Sequence, residues 1–129
     1  MSISVLVVDD SETVRAILAK TMRMADVPLK ELYTASNGQE ALDLLRSEWI
    51  DLVLTDINMP VMSGVQLIDH MSEDEILKSI PVVVVSTEGS KTRIDDLMTK
   101  GVRAYLRKPF TPEQFREVIT EILGVLDGE

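Results

Sequence analysis

The chain is expected to fold as an α/β sandwich of the (βα)5 kind, with a parallel five-stranded sheet between two layers of helices. Three observations predict it. Short β-branched runs alternate with helical periodicity along the whole chain, and three of those runs are almost continuously apolar, as strands covered on both faces must be. Residues that carry chemistry follow the C-terminal ends of four runs, and in a parallel sheet those ends lie along one edge. Right-handed crossovers then place helices on both faces.

The elements follow in order. The run Ile3 to Val8 is the first strand and leads into Asp9-Asp10, and Val14, Ile17, Leu18, Thr21, Met22 and Ala25 make an amphipathic helix. A second strand spans Leu32 to Ala35, and Asn37 with Glu40 three residues later opens a helix carrying Ala41, Leu44 and Leu45. The third strand, Leu52 to Thr55, runs into Asp56, and the pair Ser63 and Gln66 opens a helix with Val65, Ile68 and Met71. The fourth, Val82 to Val85, is followed by Ser86 and by a helix of Ile94, Leu97 and Met98 that Gly101 can end in the left-handed conformation. The fifth, Ala104 to Leu106, leads through Arg107 to Lys108. Thr111, Pro112 and Gln114 then start a helix on Phe115, Val118, Ile119, Ile122, Leu123 and Leu126. Periodicity does not fix the order of the strands.

With 129 residues and 45% hydrophobic content, one domain spanning 1–129 is expected, large enough for a core without disulfides or a structural metal. No apolar stretch approaches the ~18 residues of a membrane span, and no basic leader precedes the first apolar run, so membrane insertion is not expected. The absence of cysteine excludes thiol catalysis and thiolate metal sites and fits a reducing compartment, with the cytoplasm as the expected location. Acidic side chains number 22 against 13 basic, a net charge of −9, which argues against nucleic acid or an anionic membrane surface and for proteins or cations as partners.

Taken singly, the motifs have ordinary readings. Asp9-Asp10 can cap a helix, Asp56 with Asn58-Met59-Pro60 can start a turn, Ser86 can be another cap, and Lys108 can be a solvated edge lysine. Their joint placement at four strand ends is harder to obtain from capping. Three carboxylates held close repel one another unless a cation offsets the cost, which points to a divalent metal. Magnesium suits one or two carboxylates plus phosphate oxygens, and the chain has no EF-hand loop. The single histidine, His70, has no neighbour at metal-ligand spacing and reads as solvated or partly packed. Met22, Met71 and Met98 read as core filler, whereas Met59 and Met62 flank the site loop.

Four segments together, Val7-Val8-Asp9-Asp10-Ser11, Thr55-Asp56-Ile57-Asn58-Met59-Pro60 with Ser63-Gly64, Val85-Ser86-Thr87-Glu88, and Tyr105-Leu106-Arg107-Lys108-Pro109-Phe110, are specific. Through them nearly the whole chain resembles the receiver domains of two-component response regulators, most closely the single-domain, CheY-like chemotaxis type. The resemblance implies the flavodoxin-like strand order 2-1-3-4-5 and a receiver without an output domain. It implies that Asp56 accepts a phosphoryl group from a phosphohistidine, with Mg²⁺ held by Asp10, Asp56 and the backbone carbonyl of Asn58, and by Asp9 through water. Lys108 and the Ser86 hydroxyl would each bind a phosphoryl oxygen, and Lys108-Pro109 would be a cis peptide.

By the same likeness Ser86 and Tyr105 form the switch: the hydroxyl moves toward the phosphate and the ring turns inward. Two charge-assisted hydrogen bonds supply about 3 to 6 kcal/mol, against about 5.5 kcal/mol to move an equilibrium from 1:99 to 99:1. The unphosphorylated protein is therefore expected to visit the active arrangement. Asn58 and Glu88 stand where the family tunes hydrolysis, so a short-lived phosphoryl state is expected. Thr87 departs from the smaller residue common at its position and narrows the approach of a donor. Trp49 should lie roughly 20 Å from Asp56, at the other end of the third strand, and respond weakly to Mg²⁺.

The implied partners are a sensor histidine kinase or phosphotransfer protein and a downstream protein, such as a flagellar motor switch, docked on the face of the fourth helix, fifth strand and fifth helix. Beyond its own phosphorylation and dephosphorylation no enzymatic activity is implied. The alternatives are a small Mg²⁺-dependent phosphohydrolase with Asp56 as nucleophile, and a flavin carrier, which the acids after the first strand disfavour.

Overall fold

Alternation along three apolar strands builds two cores in one molecule. In the computed structural model, which describes residues 2–87 and 91–124, the strands are β1 (Ile3–Val8), β2 (Leu29–Ala35), β3 (Leu52–Thr55), β4 (Val82–Ser86) and β5 (Ala104–Arg107). They form one parallel sheet in the order β2-β1-β3-β4-β5, the arrangement implied by the resemblance. The helices are α1 (Glu12–Met24), α2 (Gly38–Ser47), α3 (Gly64–Ser72), α4 (Lys91–Thr99) and α5 (Pro112–Leu123), with a 3-10 turn at Leu77–Ser79 that the periodicity had not indicated.

On one face, Leu6, Val8, Val53 and Val84 pack with Leu42 and Leu45 of α2, Leu67 and Ile68 of α3, and Leu97 of α4. On the other, Val5, Val7, Leu52, Leu54, Val83 and Val85 pack with Leu18 and Met22 of α1 and Phe115 and Ile119 of α5. Side chains alternate across a strand, so continuous apolar runs feed both layers. Each fully buried Leu or Val contributes roughly 1.5 to 3 kcal/mol through area removed from water.

Several local expectations need correction. β2 begins three residues early, at Leu29, because it is an edge strand whose Lys30 and Glu31 stay in water while the backbone still pairs with β1. Ile17 is 53% exposed and Met98 44% exposed, so neither fills the core: each lies at the margin of its helix's apolar stripe. Met22 and Met71 are buried as expected. Ser63 with Gln66 and Thr111 with Gln114 close as reciprocal capping boxes. At α2, Asn37 accepts from the Glu40 N–H, but the Glu40 carboxylate reaches Ser36 N–H, one residue further back. Gly101 ends α4 with φ +97°. Leu126, assigned to the fifth helix, lies outside the described residues.

Candidate functional site

Register decides which strand ends meet. Val8 pairs with Thr55 across β1 and β3, so Asp9 and Asp56, the next residues, leave the sheet side by side, and Asp56 N–H donates to the Val8 carbonyl at 2.9 Å. Ser86 pairs with Arg107 across β4 and β5, and Lys108 N–H donates to the Ser86 carbonyl at 3.0 Å. From β5 to β1 is three strand spacings, about 14 Å. The loop after β5 and the long lysine side chain cover that span, since Lys108 Nζ donates to Asp9 Oδ2 at 2.7 Å and to Asp56 Oδ2 at 3.3 Å. The Lys108-Pro109 peptide in that loop is cis.

The acids differ in surroundings. Asp9 is 2% exposed, and its Oδ1 accepts from Ser11 N–H at 2.9 Å. It does not cap α1: Ser11 does, through its hydroxyl on Val14 N–H. Asp10 is exposed, and Asp56 is intermediate, its Oδ1 accepting from Ile57 N–H at 2.7 Å. One carboxylate oxygen from each of Asp9, Asp10 and Asp56 lies within 4.8 Å of the others. Three hard oxygen donors at that spacing fit a divalent cation of the magnesium kind.

Electrostatics follow from this crowding. Partial burial pushes the Asp56 carboxyl above its ordinary pKa, and neighbouring Asp9 adds to that, against the opposing pull of the Ile57 N–H bond and the Lys108 ammonium. Burial alone would lower Lys108, but its hydrogen bonds and attraction to Asp9 and Asp56 outweigh it and hold the ammonium above its ordinary value. Lysine is thus a fixed cation here, and Asp56 a carboxylate held at a cost.

Of the other residues singled out, Ser86 is buried at the end of β4. Half-buried Tyr105 donates its hydroxyl to the Ser86 carbonyl at 3.2 Å, tying β5 to β4 at the edge of the site. Asn58 is exposed in the loop after β3, and Thr87 is exposed beyond β4. Glu88 lies outside the described residues. His70 is exposed on α3, consistent with a solvated side chain. Trp49 precedes β3 and Asp56 follows it, so they occupy opposite ends of the strand, as expected.

Three supporting residues were not foreseen. Arg15 Nη1 donates to the Asp9 carbonyl at 2.5 Å and braces the turn that carries the acids. Buried Thr55 donates its hydroxyl to the Asp56 carbonyl at 2.9 Å. A Cβ on Gly64 would stand 2.0 Å from the Asp56 carbonyl oxygen, so α3 abuts the acceptor strand only because that residue is glycine. In sequence, Gly64 shows only as the neighbour of Ser63 and Thr55 only as the end of the third strand, and nothing marks Arg15.

Residues 5–120 match the family model described as response regulator receiver domain. A chemotaxis protein CheY homolog of Campylobacter jejuni is 36% identical over 125 residues, covering 96% of this chain and 95% of the relative. Chemotaxis protein CheY1 of Helicobacter pylori is 37% identical over 123 residues, covering 95% of this chain and 98% of its own. Among solved structures, chemotaxis response regulator CheY4 of Vibrio cholerae superposes with a TM-score of 0.81 at 30% identity, covering 94% of this chain and 98% of that one. A putative response regulator from Chloroflexus aurantiacus reaches a TM-score of 0.86 at 26% identity, covering 97% and 100%.

Proposed function

The chain belongs to the response regulator receiver domain family, and from that premise we propose a phosphorylation-controlled switch of a two-component system whose acceptor is Asp56. The observation that carries the reading is the ammonium of Lys108 bound to both Asp9 and Asp56, beside three carboxylate oxygens within 4.8 Å of one another. A site of that charge pattern takes a dianionic phosphoryl group and a divalent cation together.

In the proposed reaction an Asp56 carboxylate oxygen forms a bond to phosphorus while the P–N bond of a donor phosphohistidine breaks, and that bond's electron pair stays on the imidazole nitrogen. Asp10, Asp56 and the Asn58 carbonyl are the proposed direct ligands of Mg²⁺, with Asp9 acting through water. The bound ion supplies positive charge to the equatorial phosphoryl oxygens. Lys108 takes one of those oxygens and the Ser86 hydroxyl another. Hydrolysis returns Asp56 to a carboxylate as water takes the phosphorus, and Asn58 and Glu88 set its rate.

Tyr105 is the proposed readout, since its bond to the Ser86 carbonyl already joins the site to β5. The surface of α4, β5 and α5 would then bind the downstream protein, and the names of the relatives favour chemotaxis, with a flagellar motor switch among the candidate targets. A kinase or phosphotransfer partner has an apolar cleft to pack on beside Lys108, formed by Val14, Ile17, Leu18 and Pro109. The chain matches nearly the whole length of these relatives, 95% of one and 98% of another.

The rival reading is a phosphohydrolase acting on external substrates through the same nucleophile. Incubation with phosphoramidate or acetyl phosphate and Mg²⁺, compared with turnover of a generic phosphate ester, separates the two. Stoichiometric, transient labelling of Asp56 without ester turnover is expected, and multiple turnovers of the ester would refute the switch.

A further inference from the structure

The end of the sheet remote from the acceptor carries a constellation that the phosphoryl chemistry does not use. Trp49, the only tryptophan, is 80% exposed ahead of β3, and Ile76, ahead of the 3-10 turn, is also 80% exposed. Both line one groove of about 360 Å³ whose other apolar walls include Leu45, Leu77 and Ile80. Single exposed apolar residues are ordinary, but two large ones sharing a concave apolar surface mark an interaction site.

The indole is held in place. Its Nε1 donates to Asp51 Oδ1 at 2.9 Å, and Asp51 Oδ2 accepts from Ser4 N–H at 2.8 Å, so the ring is anchored to the start of β1. A fixed aromatic loses little freedom on binding, which is what an interface anchor requires. Charge then narrows the choice of occupant. Glu48 and Asp51 line the groove, and Glu73, Asp74 and Glu75 precede Ile76. Of the basic side chains here, Lys78 is paired with Glu75 at 3.0 Å. A second copy of a chain of net charge −9 would bring further acids to this rim.

We infer that this groove docks a cationic amphipathic segment of a partner protein. An aliphatic side chain fills the space between Trp49 and Ile76, and an Arg or Lys head lies over the indole face beside Glu48. Because Trp49 and Asp56 sit at opposite ends of β3, such a partner leaves the acceptor open, so docking and phosphorylation can coexist.

The test is a titration of the isotopically labelled full chain with a synthetic amphipathic helical peptide of Leu and Arg, with the same peptide carrying Glu for Arg as control. Binding of the Arg peptide should shift Trp49 emission to the blue, move amide signals confined to 45–51 and 76–81, and weaken as salt rises. Trp49→Ala and Ile76→Ser should each weaken it about tenfold or more. Glu31→Gln and Glu117→Gln, on other faces, should leave it unchanged. Melting curves of the groove variants report the fold, and Asp56 labelling reports the other site independently. Amide changes spread over the acidic surface, equal binding by both groove variants, no binding of the Arg peptide, or a dimer that closes the groove in peptide-free protein would overturn the inference.

Discussion

Lys108 donates to Asp9 at 2.7 Å across 99 positions of chain, with the two side chains 13% and 3% exposed. This pair joins the last strand to the first across the mouth of the site, and it makes the lysine structural as well as chemical.

Removing the amine strands a buried carboxylate. Lys108→Met is therefore expected to destabilise the protein by about 3 kcal/mol, as loss of one partner from a buried pair does. Adding Asp9→Asn should recover much of that, because the uncompensated charge has gone. Urea unfolding of the two single variants and the double variant measures the coupling, and simple additivity would contradict it.

Asp56 carries a stability cost that depends on pH. Burial raises its folded pKa above the ordinary 3.8, so the folded state holds the proton more tightly than the unfolded one. Stability then falls as pH rises from that ordinary value through the raised one, and stays lower above it. Asp56→Asn escapes the loss and should melt above the parent at neutral pH without divalent metal, with the gap closing as pH falls below the carboxylate range. Mg²⁺ at a hundred times its dissociation constant should stabilise the parent by about 2.7 kcal/mol and the variant by less. Melting curves over a pH series, with and without Mg²⁺, check both signs.

At Gly64 there is no room for a methyl group. Its N–H donates to the Ile57 carbonyl at 2.7 Å, and a Cβ would meet the Asp56 carbonyl oxygen at 2.0 Å. Gly64→Ala should cost about 3 kcal/mol, since backbone must move rather than a side chain. It should also slow labelling of Asp56, measured beside the denaturation midpoint.

Val61, 80% exposed in the loop after β3, has φ +67°, a left-handed conformation that strains a β-branched residue. Val61→Gly relieves that strain at some cost in unfolded-state entropy, and a net gain of about 1 kcal/mol is expected. Denaturant melts would contradict this by showing a loss.

The strands were legible because Val5, Leu54 and Val83 belong to runs that are almost continuously apolar, a pattern that doubly covered strands need. Asp9, Asp10, Asp56 and Lys108 could be grouped from their places at strand ends, since a parallel sheet gathers those ends whatever the loops do. Edges were harder to read. Lys30 and Glu31 look like loop residues although Leu29 and Glu31 pair with β1 on either side of a register shift at Lys30, and Ile17 keeps helical period while standing outside the area the core can cover. Asp9 looked like a cap because the preference for a capping acid is local, whereas its bond to Lys108 is tertiary. Gly64 and Arg15 act through backbone carbonyls brought near only by folding, and no sequence spacing records that.

The central claim is that Asp56 takes a phosphoryl group in a site completed by Asp9, Asp10 and Lys108. The most direct measurement is the intact and peptide mass of the chain after incubation with acetyl phosphate, with and without Mg²⁺, beside Asp56→Asn. One added phosphoryl group, dependent on Mg²⁺ and mapped to the peptide holding Asp56, is the predicted result. No added mass in the parent, or the same added mass in Asp56→Asn, would contradict it.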